Sequence, residues 1–292
     1  MSRILISGSN GQIGQEFGRL VPNTPEHDFF LMDSTHWDIT NSVQSKQIFE
    51  IIQPQFLINC AAYTKVDLAE SEKDKCFEIN HMAVESLALL SKEHNTQMVH
   101  ISTDYVFHSE THRVDGMLET DLCKPKTVYG QSKLSGEIAL KELWEKHYII
   151  RSSWIYSEFG HNFVKTMLRL AQSKPEIHVV SDQMGSPTYA LELAKGIIHL
   201  ISTVNSEGHD LFGTYHFANQ GSSTWFDFAK EIFKIQNLQT NVLPITTADF
   251  NAAASRPHYS VLNCDKFTST FDYKIPQWED SLKQCLYKMP NK

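Results

Sequence analysis

Short apolar runs alternate along the first half of the chain with longer stretches in which apolar residues recur every three or four positions. "RILISGS" is strand-like, and "GQIGQEFGRL" has helical spacing. The alternation continues through "FFLMD", "SVQSKQIFEIIQ", "FLINCAAYT", "CFEINHMAVESLALLSKEH", "QMVHISTDYVF", a helix opening near Tyr129, and "YIIRSSW". Strands that alternate with helices of this length predict βαβ units and a parallel sheet covered on both faces. The strand segments are apolar almost throughout, as doubly buried strands require. The predicted class is α/β, a doubly wound parallel sheet.

Beyond residue 155 the pattern loosens. Helical spacing persists at "FVKTMLRLAQ", "ALELAKGIIHLIS", "WFDFAKEIFKI" and "WEDSLKQCLYK", with proline-containing loops between. The expected division is a sheet domain over residues 1–155 and a smaller C-terminal lobe over 156–292, interleaved with the first. Trp225, Phe226, Phe228 and Phe233 fall at helical spacing and read as core.

Composition narrows the classes. With 41% hydrophobic and 21% charged residues among 292, the chain reads as soluble and globular. Its net charge of -8, without a Lys/Arg run, argues against nucleic acid or an anionic membrane as the main partner. Five widely spaced cysteines without a CxxC pair fit a reducing compartment better than a disulfide framework or zinc site. No apolar stretch approaches the ~20 residues of a membrane span, and the first apolar run is too short for a signal peptide, so a cytoplasmic protein is expected. The histidines form no HExxH pattern; His108 and His112 read as surface residues, and no metal site is predicted. "ESEKDK" reads as a solvated helix start.

Two segments carry chemistry. Gly8, Gly11 and Gly14 follow the first strand and open the first helix. Such glycines turn the chain tightly and let a pyrophosphate approach the main-chain N–H groups of the helix start. The spacing is GxxGxxG, a variant of the GxGxxG dinucleotide fingerprint; the bland alternative is a turn. Asp33 lies 19 residues past Gly14, where an acid typically takes the adenosine ribose hydroxyls. In that role it would favour NADH over NADPH by repelling a 2′-phosphate, while Ser34 and Thr35 would soften the discrimination; the alternative role is a loop cap. Asp38 is a second candidate acid, nearer the adenine.

The other segment is "TVYGQSKLSGE", with Tyr129 and Lys133 one helical turn apart. A phenol has pKa ~10, and a neighbouring positive charge would lower it. The pair suits proton delivery to an oxygen that becomes an alkoxide as hydride reaches its carbon. Ser102 and Thr103 end the fourth strand. Parallel sheets bind ligands at the carboxyl ends of their strands, so both hydroxyls are expected at a substrate carbonyl.

Glycine loop, strand-end hydroxyls and Tyr–Lys pair together resemble an extended short-chain dehydrogenase/reductase with a Rossmann-type sheet. More closely, "GSNGQIGQE", "NCAAYTKVDLAE", "EINHMAVESLA", "ISTDYVF", "VYGQSKLSGE", "IIRSSWIYSEFGHNFV", "DQMGSPTYALELA", "YHFANQGSSTWFDFA" and "SRPHYSVLNCDKF" resemble the dTDP-4-dehydrorhamnose reductase family, in family order over nearly the whole chain. The resemblance implies NADPH- or NADH-dependent reduction of the 4-keto group of dTDP-4-dehydro-L-rhamnose to dTDP-L-rhamnose, for cell-surface polysaccharide. It implies a catalytic trio of Thr103, Tyr129 and Lys133. The cofactor groove would be lined by Gly8, Asn10, Gly11, Gln12, Ile13, Gly14, Asp38, Ile39, Ala61, Ala62, Tyr63 and Asn80. Substrate would meet Thr64, Val66, Asp104, Tyr105 and Trp154, with Arg256 near the diphosphate.

Lys65 and Asn263 depart from the family pattern. Glu16 and Glu192 match acidic positions that hold magnesium at a dimer interface in some members, but the last helix supplies no third partner and the metal is not predicted. A homodimer is expected by resemblance. Two alternatives remain open: a reductase or epimerase acting on another nucleotide sugar, and a non-catalytic regulatory subunit resembling that of methionine adenosyltransferase.

Overall fold

The computed structural model describes residues 1–109, 112–207 and 211–289. Five predicted strands lie side by side: β1 (Ser2–Ser7), β2 (His27–Met32), β3 (Phe56–Asn59), β4 (Gln97–Thr103) and β5 (His147–Ser152). All pair in parallel, in the order β5-β4-β3-β1-β2. Alternate residues of each strand feed opposite cores. Ile4, Ile6, Ile58, Val99 and Ile150 face one core, and Leu5, Leu57, Met98 and Ile149 face the other. This two-sided burial is the reason the strands read as continuous apolar runs.

Helix α1 (Gln12–Leu20) packs on the first face through Ile13 and Phe17. The second face carries α2 (Ser42–Ile52), α5 (Ala83–Glu93) and α6 (Val128–Leu143); the short α3 (Val66–Ala69) and α4 (Lys73–Phe77) precede α5. The long helix expected over "CFEINHMAVESLALLSKEH" contains one π-helical turn, Glu78–Met82. Such turns recur at functional sites because they re-aim a side chain without ending the helix. Here the turn carries Asn80, and α6 closes on it through Gly136, where a Cβ would lie 2.2 Å from the Asn80 carbonyl oxygen.

The remaining elements are β6 (Ile155–Tyr156), α7 (Phe163–Ala171), β7 (Glu176–Val180), β8 (Met184–Gly185), β9 (Thr188–Tyr189), α8 (Ala190–Glu207), β10 (Gly213–His216), β11 (Ser223–Thr224), α9 (Trp225–Ile235), β12 (Asn241–Ile245), α10 (Thr247–Phe250), α11 (Asp265–Phe271) and α12 (Trp278–Lys288). Two of them belong to the sheet layer. Helix α8 lies on the first face beside α1, through Leu193, Ile197 and Ile201, and β10 pairs in parallel with β5 as a sixth strand. A third core joins α7, α9 and α12 around Val164, Phe228, Phe233 and Leu282. Phe228 and Phe233 are thus core as expected, whereas Trp225 stacks on Trp154 at 3.5 Å between ring centroids.

Candidate active site

The strand order reverses between β1 and β3, and the crevice outside the carboxyl ends of these strands is where open α/β sheets take ligands. The glycine loop leaves β1 there. Gly8 has φ +70°, and a Cβ on it would lie 2.8 Å from the Ala61 nitrogen at the end of β3. A Cβ on Gly14 would lie 2.4 Å from the Gly8 carbonyl oxygen, so the loop folds flat against its own helix. Helix α1 starts at Gly11 without a side-chain cap. This cradle, with helix-start N–H groups and no side chain over it, fits a dinucleotide pyrophosphate.

Around the cradle the expected residues divide by what they touch. Asn10 donates to Asp33 Oδ2 at 2.6 Å, and Gln12 accepts from Asn162 at 2.8 Å. Ile13 and Ile39 are buried in the two cores. Asn80 clamps the chain after β3, accepting from Tyr63 N at 2.8 Å and donating to Tyr63 O at 3.0 Å. Ala61 and Ala62 are held at intermediate exposure ahead of that clamp. Asp33 caps its own loop: Oδ1 accepts from Thr35 N and Oγ1 and from His36 N, at 2.6–3.2 Å. These bonds, led by those of the Thr35 and His36 side chains, hold its carboxyl well below the usual carboxylate range. Asp38 likewise caps Thr40, at 3.0 Å to the nitrogen.

The trio gathers at the end of β4. Thr103 is 5%, Tyr129 9% and Lys133 2% exposed. Burial pushes the Tyr129 phenol well above its ordinary value, and a hydrogen bond with Thr103 only partly offsets this. Tyr105 meets the Tyr129 ring edge-on at 5.5 Å. Gly130 lets α6 start hard against the Tyr105 carbonyl, 2.3 Å from where a Cβ would stand. Two expectations need correction. Lys133 is not directed at Tyr129 in this structure: its Nζ is 2.7 Å from the Ile101 carbonyl oxygen and 3.2 Å from His100 Nε2. The Lys133 nitrogen is engaged from below by the Ile101 carbonyl and the His100 ring, not by the buried phenol. Ser102 does not face the same way as Thr103 either. Strand alternation turns it to Glu137 Oε1, at 2.6 Å.

Glu137 is the centre of a buried support. Arg151 grips it with two bonds, Nε to Oε1 at 2.9 Å and Nη2 to Oε2 at 2.6 Å. Burial raises the carboxyl's pKa, but the Arg151 fork outweighs it and leaves Glu137 below its ordinary value. This group ties α6 to β4 and β5 directly behind the trio. Asp104 has no such partner. Burial raises its carboxyl to about 6, against hydrogen bonds from Ser260 and Thr103.

A cleft of about 250 Å³ is lined by His108, Lys126, Gln183, Phe250, Arg256 and His258, and Arg256 lies near enough to Tyr105 to interact with it electrostatically. Arg256 Nη2 pairs with Asp67 Oδ2 at 2.7 Å, joining α3 to the loop after α10. Thr64 and Lys65 are exposed at the rim beside partly buried Val66. Trp154, at φ +46°, lies over Gly185, where a Cβ would meet its ring at 2.5 Å. His108 therefore lines the cleft, while His112 is an exposed residue against Tyr259. Two acids of "ESEKDK" are occupied as well: Glu70 accepts from Val128 N at 3.0 Å and Glu72 from Tyr63 Oη at 2.8 Å.

The family model described as the RmlD substrate binding domain matches residues 1–290. A dTDP-4-dehydrorhamnose reductase of Aggregatibacter actinomycetemcomitans is 37% identical over 289 residues, 97% of this chain and 98% of that protein. The chain belongs to the dTDP-4-dehydrorhamnose reductase family. The spore coat polysaccharide biosynthesis protein SpsK of Bacillus subtilis is 36% identical, over 98% of this chain and 97% of its own. A dTDP-4-dehydrorhamnose reductase from Bacillus anthracis, solved in complex with NADP, superposes with a TM-score of 0.92 at 42% identity, covering 98% of this chain and 99% of that one.

Within this family site, the sequence reading missed His100, Asn59 and the Glu137–Arg151 pair. One signal was available: a histidine in the middle of an otherwise apolar, doubly buried strand needs a partner. The two acids that match magnesium-holding positions of some family members are occupied by protein groups. Glu16 accepts from Ser157 at 2.7 Å, and Glu192 pairs with Lys195 at 2.8 Å. Among the described residues no group of three metal-ligating side chains comes together, and no helix is long and apolar enough to cross a membrane.

Proposed function

We propose that the protein reduces the 4-keto group of dTDP-4-dehydro-L-rhamnose, using NADPH or NADH, to give dTDP-L-rhamnose. The observation that carries this is the burial of Thr103, Tyr129 and Lys133 together at the carboxyl end of β4, with the glycine cradle at the switch point of the same sheet. The bound dinucleotide supplies the hydride. Tyr129 gives its proton to the sugar oxygen as that oxygen becomes an alkoxide, and Thr103 holds the same oxygen against the phenol. Lys133 turns from His100 to the nicotinamide ribose. Gly8, Gly11 and Gly14 with Asn10, Gln12 and Ile13 take the pyrophosphate side, and Asp33, Asp38 and Ile39 the adenosine side. Ala61, Ala62, Tyr63 and Asn80 form the wall between.

Residues 1–155 supply the cofactor side and 156–292 mainly the substrate side. Thr64, Val66, Asp104, Tyr105 and Trp154 surround the sugar, and Arg256 meets the diphosphate in the cleft with its basic neighbours His108, Lys126 and His258. The proposal extends to a cytoplasmic homodimer, which sedimentation tests. Loss of reduced-nicotinamide absorbance with dTDP-4-dehydro-L-rhamnose, followed by identification of the sugar product, tests the reaction. Turnover only with another nucleotide sugar, or cofactor binding without turnover of any, would overturn it.

A further inference from the structure

Beneath the trio, Ser7, Asn59, His100 and Lys133 form one buried row, none more than 2% exposed. Ser7 Oγ donates to Asn59 Oδ1 at 2.7 Å, and the Ala61 main-chain N–H donates to the same oxygen at 3.2 Å. Asn59 Nδ2 lies 3.2 Å from His100 Nδ1, and His100 Nε2 lies 3.2 Å from Lys133 Nζ.

A main-chain N–H cannot reverse, so Ala61 fixes the orientation of the row. Turning the Asn59 amide over would set its NH2 against the Ala61 N–H, donor against donor. Nδ2 is therefore the group presented to His100, and His100 Nδ1 must accept. A neutral imidazole that accepts at Nδ1 carries its proton on Nε2. Protonating both nitrogens would set N–H against N–H at Asn59, and burial above all holds the ring's pKa well below its ordinary value. The Nε2 proton points at Lys133 Nζ. An ammonium has no lone pair to receive it, whereas an amine can accept it while donating to the Ile101 carbonyl at 2.7 Å.

We propose that His100 is a positioning residue that donates its Nε2–H to Lys133 and holds it as an uncharged amine in the cofactor-free protein, so that Lys133 takes up its proton as it turns to the cofactor ribose. Only the last clause rests on the proposed reductase function. The surroundings agree. Burial lowers the Lys133 ammonium to about 8, against Glu137, Cys60 and Cys76, the titratable groups that face it from α6, the end of β3 and α4; that alone leaves it mostly charged at neutral pH, and the His100 Nε2–H carries it the rest of the way to the amine. The Glu137 carboxylate is already engaged by Arg151 and Ser102.

Nitrogen-15 correlation spectra of the histidine-labelled, cofactor-free wild type decide the hydrogen bond without a variant. A His100 ring protonated at Nε2 with an unprotonated Nδ1 is expected; the Nδ1–H form overturns the proposal. The pH dependence of NADPH dissociation gives the sign independently. If binding requires Lys133 to gain a proton, affinity weakens once pH passes the free side chain's pKa. Removing the donor in His100→Leu raises that pKa, so the onset of weakening should move up by about one pH unit. Had the ring accepted from an ammonium, the onset would move down; a downward or unchanged onset overturns the proposal. If the wild type binds no NADPH or NADH at all, the reductase function fails, while the tautomer still decides the hydrogen bond.

Discussion

Lys133 is 2% exposed and its partners come from β4, whereas Arg256 sits on a loop and pairs with an Asp67 carboxylate whose side chain is 48% exposed. The two ends of the site are thus built on different physics. At the trio, each polar side chain is placed by strand register or helical turn, and water is excluded, so small displacements of charge are worth a great deal. At the cleft, polar groups arrive from segments far apart in sequence and remain partly solvated. There a single contact is worth less, and several basic residues share one task. The buried end suits chemistry and the wetter end suits holding a flexible, doubly charged group.

The largest effect should come from the buried end. Tyr129→Phe keeps the ring against Tyr105 and removes only the proton, so turnover should fall ~10²–10⁴-fold, with cofactor affinity and unfolding midpoint nearly unchanged. Thr103→Val should also lower turnover more than cofactor affinity. Steady-state rates beside NADPH titrations check both. Near-normal turnover in Tyr129→Phe would mean that the trio is not the chemical end at all.

Next in size is the support behind it. Arg151→Met leaves Glu137 charged and buried without its fork. Breaking such a pair from one side typically costs ~3–5 kcal/mol, which urea unfolding would read. A loss below ~1 kcal/mol would show that Ser102 and Lys141, whose Nζ is 3.6 Å from Glu137 Oε2, suffice.

Asp104 tests how dry the chemical end is. Its folded pKa, about 6, lies above the ordinary 3.8. Between those values the native state holds a proton that the unfolded chain has released, so this group's contribution to stability falls as pH rises through that window, and the cost is complete above it. Asp104→Asn removes the slope. Relative to wild type, the variant should gain on the order of 2 kcal/mol between about pH 4 and about pH 8. A difference that stays flat with pH would show a solvated carboxyl, and the contrast with the cleft would blur.

How far each end could be read from the sequence follows the same division. The sheet and the Tyr129–Lys133 pair were legible because strand and helix periods place side chains with only local information. Strand β10 was not: "GTYH" is four residues with a glycine, and only its place beside β5 makes it a strand. Strands β7 and β12 hid for a related reason, since their apolar runs are short and β12 contains Pro244. The direction of Lys133 depended on a histidine 33 residues away, and that of Ser102 on a helix residue 35 away. The Asp67–Arg256 contact spans 189 residues, and nothing short of the fold reveals it.

At the cleft, Arg256→Ala should raise the KM for the nucleotide sugar about tenfold while leaving kcat and cofactor affinity nearly intact. Asp67→Ala is the control. It frees the guanidinium, so a KM that rises as much as in Arg256→Ala would mean that the pair acts by holding the loop after α10, not by meeting the diphosphate. A fall in kcat of the size seen for Tyr129→Phe would break the comparison, because it would make the cleft part of the chemistry.

The smallest effect concerns the adenosine end, where Asp33 combines features of both regions. Its side chain is 15% exposed and its acceptor sites are filled by Asn10, Thr35 and His36, yet it stands at the mouth of the groove. Those bonds keep it charged at any working pH. A fixed negative charge there opposes a 2′-phosphate, but exposure to water and salt weakens that repulsion. Asp33→Asn keeps the shape of the loop and removes the charge. The ratio of NADPH to NADH affinity should therefore rise about threefold to fivefold, and the gain should shrink as salt is added. A ratio that does not move would leave Asp33 as the loop cap its hydrogen bonds describe. A loss of both cofactors together would show that the cap, through Asn10, shapes the glycine loop itself.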